Sequence, residues 1–104
     1  MTIALLNDVD RFDTVQFRVT FRDAAGDVAD PDTVTFYVEN PLGVQDSYVY
    51  DSDAEATRIS EGIFNLEWQV DVSGTWDILC VGEGTVDQSS RGRVHVRRDP
   101  FTIS

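Results

Sequence analysis

Nine consecutive residues, Thr14-Val15-Gln16-Phe17-Arg18-Val19-Thr20-Phe21-Arg22, alternate without a break between polar and apolar side chains. Successive side chains of a β-strand point to opposite faces, whereas a helix would scatter Val15, Phe17, Val19 and Phe21 around its circumference. The segment therefore reads as a strand with one buried face. A strand of this kind needs other apolar faces to cover it, which sets the rest of the reading.

The same signal recurs along the chain. Asp23-Ala24-Ala25-Gly26-Asp27 is a turn, with Gly26 able to take positive φ. Residues 33–39 form a second strand with Val34, Phe36 and Val38 on one face, and Asn40-Pro41-Leu42-Gly43 turns the chain again. A weaker strand over residues 44–50 places Tyr48 and Tyr50 together. A polar loop over 51–56 leads to a short strand, 57–60, that carries Ile59. Residues 63–70 point Phe64, Leu66, Trp68 and Val70 inward, and residues 75–81 do the same with Trp76, Ile78 and Cys80. Gly and Ser make residues 82–90 read as a loop. A last strand, 92–96, turns Val94 and Val96 in and leaves Arg91, Arg93, His95 and Arg97 outside.

No segment repeats apolar residues at helical spacing, so the expected fold class is all-β, a two-sheet antiparallel β-sandwich of about seven strands. At 104 residues the chain has room for a single core. Residues 1–12 and 98–104 place Leu5, Leu6, Phe101 and Ile103 outside the main pattern, and read as extended arms or edge strands.

Charge narrows the function classes. The formal net charge is −11, and the basic residues are all Arg, with no Lys. Such a chain repels polyanions, which argues against nucleic acid and anionic membrane as partners. An acidic, Lys-free composition suits solubility in high salt, as in a halophile, although GC-rich coding also favours Arg. The charge is unevenly placed: eighteen of the nineteen acids but only four of the eight arginines lie in residues 1–90. Arg91, Arg93, Arg97 and Arg98 thus form a basic end on an acidic body. With Phe101 and Ile103 they are the expected protein interface, the alternative being a cross-strand ion-pair ladder on a solvated face.

The acids also offer paired loop carboxylates, Asp8 with Asp10, Asp30 with Asp32 and Asp51 with Asp53. Calcium takes six to eight hard oxygens, so these pairs are the weak metal candidates, although none continues into an EF-hand loop. Otherwise Asp serves as turn-former and solubilising charge. Cys80 alternates with core residues and reads as core; His95 reads as surface. No nucleophile elbow, P-loop or zinc-spaced cluster is present, so no enzyme and no cofactor are expected. No basic n-region precedes the short apolar run 3–6 and no stretch matches a membrane span, so cytoplasmic synthesis is expected.

The order Asp23-Ala24-Ala25-Gly26, Asp30-Pro31-Asp32-Thr33-Val34, Asn40-Pro41-Leu42-Gly43, Gly62-Ile63-Phe64 and Asp71-Val72-Ser73-Gly74-Thr75-Trp76 resembles immunoglobulin-like modules. It is similar to stand-alone modules of tailed-virus (phage-type) virion proteins, among them capsid-decoration, neck and tail subunits, over residues 14–98. Adhesins and filamin-like repeats share these motifs. The resemblance implies an immunoglobulin-like sandwich and a non-enzymatic virion subunit, made in the host cytoplasm, in a head–tail joining, tail or capsid-surface position. Its partners would be other virion proteins and copies of itself. The rival expectation is a carbohydrate- or host-surface-binding module, with calcium at the loop Asp residues and Tyr37, Tyr48, Tyr50, Trp68 and Trp76 as stacking groups.

Overall fold

The computed structural model describes residues 9–97 and the backbone of residues 3 and 4. Nine strands are present: β1 (Ile3–Ala4), β2 (Val9–Asp10), β3 (Thr14–Thr20), β4 (Thr33–Glu39), β5 (Gln45–Val49), β6 (Ala56–Ser60), β7 (Ile63–Gln69), β8 (Gly74–Glu83) and β9 (Gln88–Arg97). They form two sheets, of order β1-β3-β7-β6 and β2-β9-β8-β4-β5. Seven strands are the expected ones. Among the described residues there is no helix, and so none long and apolar enough to cross a membrane.

Both sheets are antiparallel in their bodies and parallel at one margin, where β1 lies along β3 and β2 along β9. The N-terminal segment thus contributes a short strand to each sheet. Val9 is fully buried, and the Phe12 carbonyl accepts a hydrogen bond from Gln69 Nε2 at 3.1 Å. Residues 9–12 are part of the domain rather than an arm that reaches a neighbour. Leu5, Leu6, Arg98, Phe101 and Ile103 lie outside the described residues.

Alternation assigned the inner faces correctly. Val15, Phe17, Val19, Phe64, Leu66 and Trp68 from one sheet meet Val34, Phe36, Val38, Ile78, Cys80 and Val94 from the other in one core. The rings pack edge to face, Phe17 on Phe36 at 6.4 Å and Phe21 on Phe64 at 5.7 Å, the arrangement favoured by aromatic quadrupoles. The two expected turns are present, and side-chain oxygens close them: Asp23 Oδ1 accepts from the amides of Ala25 and Asp27, and Asn40 Oδ1 from those of Leu42 and Val44.

The expected loop over residues 82–90 shrinks to residues 84–87, because β8 and β9 pair as far as Gly82 with Gln88. Gly82 is a strand residue under close packing: a Cβ there would lie 2.6 Å from the Phe21 ring and 2.7 Å from Pro31. On β6 a register shift between Arg58 and Ser60 leaves Ile59 half exposed, and Ala56 is the residue that points into the core.

Candidate functional site

The outer face of the five-stranded sheet collects the expected interface. Side chains on one face of β9 recur every second residue, so Arg91, Arg93, His95 and Arg97 stand in one row about 7 Å apart. Register sets their neighbours. Arg93 lies opposite Asp77 and donates to its Oδ1 from Nε at 2.8 Å. Arg97 lies opposite Asp10 on β2 and donates from Nε to its Oδ1 at 2.9 Å. His95 faces Thr75, with Nδ1 and Oγ1 3.4 Å apart. The ladder anticipated as the alternative is therefore formed for Arg93 and Arg97. Such exposed pairs are worth about 0–1 kcal/mol each and orient side chains more than they stabilise the fold.

Arg91 is different. Its cross-strand neighbour is Leu79, which in turn pairs with Tyr37 on β4, so an apolar row replaces the carboxylate. Among the described residues Arg91 has no hydrogen-bond or ion-pair partner. Tyr37 keeps 40% of its surface exposed. Beside this row Gln45 Nε2 donates to Glu39 Oε1 at 3.0 Å. Tyr37, Gln45, Asp77, Leu79, Arg91 and Arg93 line an open depression of about 700 Å³. A guanidinium without a partner among the described residues, beside an aromatic and an aliphatic side chain, can take a carboxylate while its flanks withdraw apolar surface from water. Leu79 and Gln45 were missed by sequence reasoning. Leu79 left a trace, since it breaks the alternation of Trp76, Ile78 and Cys80 by being apolar on the outward side.

The paired carboxylates are engaged by the fold. Asp30 accepts the Gly62 amide at 2.7 Å and meets Arg58 Nη2 at 3.0 Å. The Gly62 amide first, and then Arg58, hold its carboxyl below the usual value of 3.8. Asp32 accepts from Thr85 Oγ1 at 2.9 Å, Asp53 from the Val49 amide at 2.8 Å, and Asp10 from Arg97. Asp51 is a turn residue at φ 75°. Asp8 lies outside the described residues. Among those described, no three metal-ligating side chains converge.

Trp68 and Trp76 are buried, and Tyr48 and Tyr50 pack against the core. Of the five aromatic residues of the carbohydrate reading, Tyr37 alone is well exposed. Cys80 is buried, and desolvation pushes its thiol up to about 12, far from nucleophilic use.

No family model and no curated protein matches the chain. Among solved structures, the Lin-41 filamin domain superposes with a TM-score of 0.64 at 21% identity, over 92% of this chain and 83% of that one. The fold is immunoglobulin-like. Two sheets, the buried faces and this superposition agree on that point, and the motif order of the sequence is accounted for at the level of the sandwich.

Proposed function

We propose that this protein is a non-enzymatic structural or accessory subunit of a tailed-virus particle, in a head–tail joining, tail or capsid-surface position, that works by protein–protein contact. The observation that carries the contact is the row Arg91, Leu79, Tyr37 on the outer face of the five-stranded sheet. Strand pairing fixes the backbone beneath these side chains, so docking orders side-chain rotamers and not the chain itself. Covering Tyr37 and Leu79 supplies the apolar contribution. Arg91 selects an acidic group and sets register, and the paired Arg93 and Arg97 flank it. The strongly acidic remainder of a second copy offers complementary charge, so copies of this chain are among the partners. The virion setting rests on the motif order.

The setting is tested by quantitative mass spectrometry of nuclease-treated, density-purified virus particles from the source culture. The chain is expected at a fixed copy number per particle, and stripped from particles when Arg91→Glu replaces the wild type. Its absence from purified particles would overturn the assignment.

A further inference from the structure

The opposite face of the sandwich carries a separate feature. Asn65 lies mid-strand on β7 between the inward Phe64 and Leu66, so its side chain points to the outer face of the four-stranded sheet. It is nevertheless only 4% exposed, because Arg18 on β3 and Thr57 on β6 flank it in one row. Its Oδ1 is buried and has no hydrogen-bond partner. A buried acceptor without a donor is costly, and native structures rarely keep one unless something fills it.

The surroundings say what chemistry fits. Asn65 lines an open groove of about 740 Å³ on this face. The next row holds Gln16, whose Nε2 donates to Glu67 Oε1 at 2.8 Å, and the row after holds Thr14 and Gln69. Three rows at two residues each span about 14 Å. Donors and acceptors are mixed along this length, and Arg18 has no ion-pair partner among the described residues. The charged lining residues are Arg18, Glu55 and Glu67, so the groove is close to neutral and offers no cation cluster to a phosphate, sulfate or uronate. Backbone groups of β7 are used in pairing on both sides, and the open edges of β3 and β6 lie in the plane of the sheet, so an added strand finds no ladder on this face. A neutral polyol matches all of these conditions, since each hydroxyl both donates and accepts. Half-exposed Ile59 gives its apolar ring face a contact.

We propose that the outer face of the four-stranded sheet is a binding groove for a short neutral oligosaccharide, with one sugar hydroxyl donating to Asn65 Oδ1. This site is independent of the protein contact on the other sheet.

The test is a titration of ¹⁵N-labelled protein with neutral gluco-, galacto-, manno- and xylo-trisaccharides, following backbone amides and the Asn and Gln side-chain NH₂ signals. At least one sugar is expected to shift signals confined to β3, β6 and β7, the Asn65 side chain among them. Arg18→Ala and Asn65→Leu should each weaken it about tenfold or more. Asn65→Leu should melt no lower than wild type, because it removes an unpaired acceptor; a purely structural Asn would lower the melting temperature. The proposal is overturned by no localised shift at about 10 mM of any of these sugars. Shifts confined to the five-stranded sheet, or an Asn65→Leu variant that binds as well as wild type, also overturn it.

Discussion

Gly92 lies on β9 between Arg91 and Arg93, and it faces inward, where a Cβ would stand 2.4 Å from Phe17 Cε1 and 3.0 Å from Cδ1. Its φ is not in the left-handed region, so Ala is compatible with the backbone and the whole effect of Gly92→Ala is steric. Carbon atoms settle at about 3.5–4.0 Å, so the Phe17 ring or the strand must retreat by roughly 1 Å. Phe17 is buried edge-on against Phe36, and a rigid ring in that position has little room to move. Overpacking of this kind costs about 1–3 kcal/mol. For a domain near this size each kcal/mol lowers the melting temperature by roughly 4–8 °C. Thermal and urea melts of Gly92→Ala, Phe17→Leu and the double variant measure it. Leu lacks the Cε atom in question, so the double variant should be more stable than the sum of the singles by at least about 0.5 kcal/mol. A Gly92→Ala protein that melts with wild type, or strictly additive effects, refutes the argument.

Three further outcomes are expected. Cys80, buried with its thiol pushed up to about 12, should resist iodoacetamide at pH 8 in the folded protein and react fully in denaturant; alkylation of the native protein at the rate of a free thiol contradicts its place in the core. Asp30 has a depressed pKa, so its contribution is present above 3.8 and is lost as pH falls below that value; Asp30→Asn should lower stability at pH 7 and flatten the acid limb of a melting-temperature profile, and an unchanged limb would show that the bond to the Gly62 amide contributes nothing. Trp76 Nε1 donates to the Val72 carbonyl at 2.9 Å, whereas Trp68 Nε1 is buried without a partner, so Trp76→Phe should be more destabilising than Trp68→Phe by about 1 kcal/mol in urea melts, and the reverse order contradicts the assignment.

The strand faces were legible because alternation is local: Val15, Phe17 and Val19, or Val94 and Val96, announce their orientation within a few residues. The turns that begin at Asp23 and Asn40 were legible for the same reason, from Gly26 and from Pro41 with Gly43. What depends on pairing between distant strands was not. The sequence left an ion-pair ladder open for Arg93 and Arg97 but could not name its acids, and only the registers of β8 with β9 and of β2 with β9 bring Asp77 and Asp10 against them. Arg91 meets no carboxylate among the described residues, because the same register sets Leu79 opposite it. Glycine misled over residues 82–90, where Gly82 serves close packing against Phe21 and Pro31 rather than a loop. Asn65 shows the same division: alternation places it outward, but its burial comes from Arg18 and Thr57, 47 positions before it and eight before it in the chain.

Light scattering of the purified protein at about 0.15 M and then about 2 M salt, with wild type beside Arg91→Glu, tests the central claim that the five-stranded sheet is a contact surface between subunits. Contact between copies through this sheet gives the wild type a mass of at least twice 11.7 kDa and shifts Arg91→Glu to the monomer with an unchanged melting temperature. A wild-type protein that stays at 11.7 kDa at both salt concentrations, or an assembly indifferent to Arg91→Glu, would contradict it.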